Sequence, residues 1–246
     1  MKVVSFNIRS MDDPNGNSII ERAPRLAKVI GDIDPDLIGI QEFVPKWEKP
    51  FEEFFSEKYD MLNKYRTREG WIESGPLLWR RGAFELREKG WFWFSDTPDV
   101  ESGGWDTLGH KRMCCWVRLK RVSDKKEFVF MNTHFGFGDE GQVNSARLIR
   151  DRIKDFGDLP VFITGDFNSL PSSLAYREMT SFLKDANAAD LVSATFHGYN
   201  PASPGQHIDY CFINDRVSAE SVRIITERPD GKFPSDHYGL ELDLDI

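Results

Sequence analysis

Nine side chains have the types and positions that phosphate or metal chemistry asks for: Asn7, Glu42, His134, Asp166, Asn168, His207, Asp209, Asp236 and His237. Each lies beside a short apolar run that reads as a buried strand. In Val161-Phe162-Ile163-Thr164-Gly165-Asp166-Phe167-Asn168 the strand text ends in a glycine, then a carboxylate and a carboxamide two residues apart. Side chains two apart in extended chain point the same way, so Asp166 and Asn168 reach one point beyond the strand's carboxyl end, where α/β sheets bind ligands. Singly, each residue has a plainer explanation, because Gly-Asp-x-Asn is good turn chemistry and a lone His is often a satisfied core group. Six separate strand ends carrying carboxylate, amide or imidazole make coincidence a poor account.

Hard divalent cations such as Mg²⁺ take oxygen ligands, binding through one or two carboxylates plus substrate phosphate. Glu42 is the best ligand candidate, with Asp166, Asn168 or Asp236 completing one or two sites. No Cys ligand set or H-E-x-x-H motif points to a zinc hydrolase. No G-x-S-x-G elbow offers a nucleophilic serine, and neither phosphate-cradling glycine loop is present.

The elements that must position these groups alternate along the chain. Val3 to Ile8 reads as a strand, Ile19 to Ile33 as a helix and Leu37 to Ile40 as a strand, a βαβ-like start. Trp47 to Phe55 follows as a short helix. Residues 59 to 119 are β-rich, with strands expected at Met61-Leu62, Pro76 to Trp79, Phe84 to Phe94 and Cys114 to Leu119. The polar stretch Ser95 to Met113 reads as a substrate-facing lid. Then come a strand from Glu127 to Thr133 that delivers His134, a helix from Gly141 to Phe156, the strand Val161 to Thr164, and a helix from Ser172 to Leu183. Strands at His207 to Ile213, Val222 to Thr226 and Tyr238 to Leu244 complete the chain. No linker or composition break divides it, so residues 1–246 read as a single domain. The fold class is α/β (α+β): both halves share a βαβ-then-strands rhythm, consistent with two sheets packed face to face and flanked by helices.

Composition narrows the partners. A net charge of −8 gives no electrostatic footprint for long nucleic acid. An acidic protein that handles phosphate esters needs a cation at its site. The three cysteines, two of them adjacent, cannot all pair within the chain, and read as buried small residues in a reducing compartment. No apolar run approaches a membrane span, no signal peptide precedes the first strand, and nothing calls for an obligate protein partner. The expected location is the cytoplasm.

Six ordered stretches give the chain a strong resemblance to the endonuclease/exonuclease/phosphatase superfamily. They are Ser5-Phe6-Asn7, Gln41-Glu42, Thr133-His134-Phe135, Gly165-Asp166-Phe167-Asn168, His207-Ile208-Asp209-Tyr210 and Ser235-Asp236-His237. The resemblance implies a four-layer α/β sandwich with the site at one edge of two mixed β-sheets. It implies Mg²⁺ or Mn²⁺ held by Glu42 with help from Asn7 and Asp236. Asp166 is then the residue that orients and deprotonates water, and Asn168 the one that binds a phosphate oxygen. His237, supported by Asp209, meets the scissile phosphate, and His134 meets the phosphate or the leaving group. The chain departs from the apurinic endonucleases in having Phe6-Asn7-Ile8-Arg9 at the first motif and His134 where they carry tyrosine. It looks most like small bacterial members that carry stretches such as Trp91 to Asp99 and Gly104 to Asp106, with an arginine at Arg112. Arg9 and Arg112 are candidate phosphate contacts, and His207 joins the substrate-binding set. The expected activity is a metal-dependent phosphoesterase acting on a small or single-stranded phosphoester. A DNA or RNA nuclease of the same superfamily is the alternative, and a non-catalytic phosphate-binding module the remote one.

Overall fold

Apolar side chains at alternate strand positions enter different cores, and that alternation fixes the layers. A computed structural model describes residues 1–246. The strands are β1 (Lys2–Asn7), β2 (Leu37–Gln41), β3 (Tyr59–Leu62), β4 (Leu77–Arg80), β5 (Phe84–Trp93) and β6 (Met113–Arg121). They continue as β7 (Glu127–His134), β8 (Val161–Asp166), β9 (Lys184–Asp185), β10 (Asp209–Ile213), β11 (Ser218–Ile225) and β12 (Gly239–Asp245). The helices are α1 (Ile19–Ile33), α2 (Glu48–Phe55), α3 (Asp139–Ile153) and α4 (Leu174–Thr180).

One sheet has the order β11-β12-β1-β2-β4-β3 and the other β5-β6-β7-β8-β10-β9. Each holds one parallel pair, β1/β2 and β7/β8, and all other neighbours are antiparallel. The two sheets are therefore built to one plan, as the repeated rhythm in the sequence implied. Val3, Leu37, Phe128, Phe130 and Phe162 fill the core between the sheets. Their neighbours Val4 and Ile38 face α1 and α2, while Val129, Val161 and Ile163 face α3 and α4. The result is the expected four-layer sandwich of helices, sheet, sheet and helices.

Several boundaries move for local reasons. α3 begins at Asp139, because Gly138 at φ 103° ends the preceding loop in a conformation that suits glycine. α4 is shorter than its apolar text, opening where Ser173 Oγ accepts the Tyr176 N–H. The two-residue strand β9 carries too little pattern to read from sequence. The three cysteines are free and buried, as expected, and no helix is long and apolar enough to cross a membrane.

Polar side chains also bridge the two sheets. Asn132 Oδ1 accepts from Gln41 Nε2 (2.7 Å) and Thr164 Oγ1 (3.0 Å), and its Nδ2 donates to the Ile40 carbonyl (2.6 Å). Gly39 allows that approach: a Cβ there would lie 2.3 Å from Thr164 Oγ1 and 2.8 Å from Asn132 Oδ1. Gly39→Ala is accordingly expected to lower stability by about 1–3 kcal/mol through overpacking. Urea unfolding checks this, and an unchanged midpoint would contradict the packing described.

Candidate active site

Topology explains why residues scattered over 230 positions meet. The parallel pairs β1/β2 and β7/β8 end at one edge, delivering Asn7, Glu42, His134, Asp166 and Asn168 from their carboxyl ends. β10 runs antiparallel to β8, so its first residue, Asp209, sits opposite Asp166. β12 runs antiparallel to β1, so the segment before it brings Asp236 and His237 to the same edge.

Left-handed backbone immediately after the strands aims the side chains. Arg9, Glu42 and Asn168 have φ of 61°, 61° and 48°. This is tolerable for Asn but strained for Arg and Glu, and such strain clusters at functional positions. It is held at Glu42 by paired backbone bonds between Phe43 and Ser74. It is held at Arg9 by the buried Arg22 guanidinium, which donates to the carbonyls of Ile8, Arg9 and Met11. With its carbonyls turned toward Arg22, this loop presents the Ser10 N–H and hydroxyl to Glu42 Oε2, at 2.7 and 2.5 Å.

Asn7 joins the two halves of the site. Its Nδ2 donates to Glu42 Oε1 (3.1 Å) and to Asp166 Oδ2 (2.9 Å). Asp166 Oδ1 accepts the Asn168 N–H (2.9 Å). Two imidazoles flank Asp166 Oδ2, His134 Nε2 at 3.5 Å and His237 Nε2 at 3.8 Å. Each is held from behind by a buried carboxylate, His134 by Glu73 (3.1 Å) and His237 by Asp209 (2.9 Å). Such carboxylates fix the orientation and tautomer of the ring.

Burial and charge act in opposition here. Burial raises the carboxyl of Asp166 above the usual range; His134 and His237 oppose the rise and Asp209 adds to it. Burial likewise raises Asp236, with Glu42 adding and His237 opposing. Glu42 goes the other way: burial would raise it, but His134 and the two Ser10 donors hold it at about 2. Burial would lower His237, yet Asp209, Asp166 and Asp236 raise it to about 10. The site thus holds an ionised carboxylate, a carboxylate of raised basicity and a cationic imidazole side by side.

The cleft above these groups has a volume of about 550 Å³. Arg9, Glu42, Arg112, His134, Asp166, Asn168, Asp236 and His237 line it, while Asn7 and Asp209 lie buried beneath and touch the lining residues. His207 is the exception and corrects the sequence reading. Residues 195 and 196 pair with Gln206, and the His207 ring turns inward, its Nδ1 against the Ser193 carbonyl (2.7 Å) and its centroid 5.0 Å from that of the tilted Tyr210 ring. The stretch expected to be a lid is tied to the body where the Thr107 N–H and hydroxyl both donate to the Phe137 carbonyl (2.9 and 3.0 Å), and it is braced internally by Trp105 Nε1 donating to Asp96. Its tip still faces the cleft, through Leu108, His110 and Arg112.

Two buried cleft residues, Arg66 and Glu73, carried no sequence signal. They sit in the irregular segment between β3 and β4 and pair at 2.9 Å. Ser10 and Asp106, which hold Glu42 and Arg112, were equally silent as partners.

The donors fit a hard divalent cation. Glu42 and Asp236 offer carboxylate oxygens, and a cation there offsets their charge. Asn7, expected from the sequence to help hold the cation, instead turns its Nδ2 toward Glu42 while its Oδ1 accepts the Arg9 N–H (3.0 Å), so it positions Glu42. A second group, Asp166, Asp209 and His237, has ligand atoms within 4.8 Å of one another. In that group Asp209 and the His237 Nδ1 already satisfy each other, so the Glu42 side is the better seat.

Comparison with known proteins bears on this arrangement. Residues 4–237 match the model of the Endonuclease/Exonuclease/phosphatase family. A structure described as an endonuclease/exonuclease/phosphatase family protein from Bacteroides thetaiotaomicron is 29% identical, with a TM-score of 0.91 over 100% of this chain and 98% of that one. A mannosyl-6-phosphatase of Bacteroides thetaiotaomicron VPI-5482 is 28% identical, with a TM-score of 0.91 over the whole of both chains. An uncharacterized protein, L388, of Acanthamoeba polyphaga mimivirus is 31% identical over 183 residues, 69% of this chain and 67% of that protein.

Proposed function

From a chain that belongs to the endonuclease/exonuclease/phosphatase family and is a phosphoester hydrolase, we propose a divalent-cation-dependent activity on a small phosphoester, by direct attack of water. One observation carries the reading: a single amide, that of Asn7, bridges Glu42 and Asp166, while two imidazoles face Asp166 from either side.

Glu42, with Asp236, would hold Mg²⁺ or Mn²⁺, which would supply Lewis-acid polarisation of a phosphoryl oxygen, and the Asn7 amide would position Glu42. Asp166 takes the proton of the attacking water, and its raised basicity suits a general base. The oxygen of that water bonds to phosphorus as the bond to the leaving oxygen breaks. His237, kept cationic by Asp209, and the Asn168 amide donate to phosphoryl oxygens where charge develops. His134, oriented by Glu73, supplies a proton to the leaving oxygen, so phosphate and a neutral alcohol depart. The modest cleft volume and the acidic charge favour a small substrate over a long nucleic acid, whose binding would demand a basic strip. The free, buried cysteines suit a reducing compartment such as the cytoplasm.

A phosphoester panel of nucleotides, sugar phosphates and aryl mono- and diesters tests the proposal in Mg²⁺, Mn²⁺ and EDTA. Turnover is expected with either cation and is lost in EDTA or on Glu42→Ala. A Glu42→Ala variant that turns over at the wild-type rate would sink it. Cation binding is expected to raise the melting temperature of the wild type, by about 2.7 kcal/mol of stability at a hundredfold excess over Kd, and to leave Glu42→Ala unmoved.

A further inference from the structure

Arg112 stands apart from the other arginines of the cleft. Its side chain is 5% exposed and lines the cleft wall. Its Nε donates to Asp106 Oδ2 at 2.7 Å, and Asp106 is itself buried and fixed by the N–H groups of Leu108 (2.8 Å) and Phe137 (3.4 Å). Beyond that one bond the guanidinium makes no hydrogen bond in the protein, lying over the Phe137 ring at 5.8 Å, and Nη1 is buried without an acceptor. Nη1 lies 4.0 Å from Glu73, which already binds Arg66 (2.9 Å) and His134 (3.1 Å). Arg9, by contrast, gives both Nε and Nη2 to Asp13.

A buried guanidinium nitrogen without an acceptor is costly, and native structures keep one only where something else satisfies it. The planar fork of Arg matches a phosphoryl group. It sits beside the His134–Glu73 pair and reaches the cleft from the wall that Asp106 anchors.

We propose that Asp106 and Arg112 form a fork that reads the third non-bridging oxygen of the substrate, and so make this site select phosphomonoesters over phosphodiesters. The inference rests on the phosphoesterase reading above and deepens it. The site offers three separate sets of phosphoryl partners: the seat at Glu42, the pair His237 and Asn168, and Arg112. A diester has two non-bridging oxygens and one charge, whereas a monoester has three and is largely a dianion at pH 7, its second pKa being about 6. A diester would set an alkoxy group against Arg112 and leave the fork unpaired. Sites built to hydrogen-bond a group reject analogues lacking it by about 10⁴-fold. Asp106 touches no substrate; it is a positioning residue that holds the fork by Nε, and neither Nη nitrogen makes a hydrogen bond within the protein.

Two substrates with the same leaving group test this, p-nitrophenyl phosphate and methyl p-nitrophenyl phosphate, assayed in Mg²⁺. The wild type is expected to favour the monoester in kcat/KM by about 10³-fold or more. Arg112→Gln and Asp106→Asn are expected to lower monoester kcat/KM about 100-fold and leave the diester within a few-fold. A merely structural role would lower both together, and that parallel loss overturns the proposal, as does a wild type that cleaves the methyl diester equally well. Should either variant fail to fold, titration calorimetry on the wild type in Mg²⁺ and in EDTA decides. Inorganic phosphate is expected to bind and dimethyl phosphate not to; equal binding overturns the proposal. A wild type inactive on both esters would instead count against the phosphoesterase reading, and the phosphate titration would still report on the fork.

Discussion

Asp166→Asn is expected to lower kcat/KM by about 10³-fold or more, the scale of a lost general base, while raising the melting temperature near pH 8. Both effects come from one environment. The Asp166 carboxyl is buried among other acids and its pKa is raised on folding. A raised folded pKa means that the folded state binds the proton more tightly than the unfolded one, so stability falls as pH rises through the shifted value. The ionised carboxylate therefore destabilises the metal-free protein at the pH where it is needed as a base. An amide of the same shape removes that cost and the proton acceptor together. Steady-state kinetics in Mg²⁺ and calorimetry in EDTA measure the two arms. Near-wild-type turnover by the variant would remove Asp166 from its role, and a large drop in melting temperature would contradict the balance described.

The second large effect belongs to Asp209→Asn. His237 folds with a pKa of about 10, against about 6.5 for a free histidine, because Asp209, Asp166 and Asp236 outweigh its burial. The sign follows from linkage. The stabilisation is fully present below pH 6.5 and is lost as pH rises from there through about 10. Removing the Asp209 charge brings the folded pKa of His237 down, so the loss begins at lower pH and the imidazole is deprotonated over more of the working range. The expected result at pH 8 is about a 10–100-fold fall in kcat, with the alkaline limb of the rate profile moved toward neutrality. An NMR titration of His237 in EDTA reads the pKa directly. An unmoved titration in the variant would show that Asp209 does not hold the ring charged.

Much of this arrangement was legible because strand ends carry a strong signature. Asp166 and Asn168 follow a short continuous apolar run that marks a buried strand, and Asn7, Glu42 and His134 repeat the device. The parallel pairing then forces those ends together, so pattern and chemistry point to one edge. Glu73 and Arg66 were invisible for the complementary reason. They stand in irregular chain between β3 and β4, where no periodicity says which way a side chain turns. Their role comes from pairing with each other and with His134. His207 misled because it lies two positions before Asp209 and shares its apparent parity. Strand β10 begins only at Asp209, and parity means nothing outside a strand. Arg112 was readable as an arginine near phosphate, but its unpartnered Nη1 belongs to tertiary packing alone.

The order of strands has a consequence for how the molecule is made. The sheet that carries His134 and Asp166 uses one unbroken stretch, residues 84–213, and can assemble as that stretch emerges from the ribosome. The other cannot: β1 lies between β2 and β12, so one flank of β1 stays open until residues 239–245 arrive. An open edge on a hydrophobic strand invites pairing with other chains. The segment that closes it also carries Asp236 and His237 to the cleft just before β12. Closure of the edge and completion of the catalytic set are therefore one late event, and a nascent chain halted between residues 213 and 236 would be inert and adhesive at once.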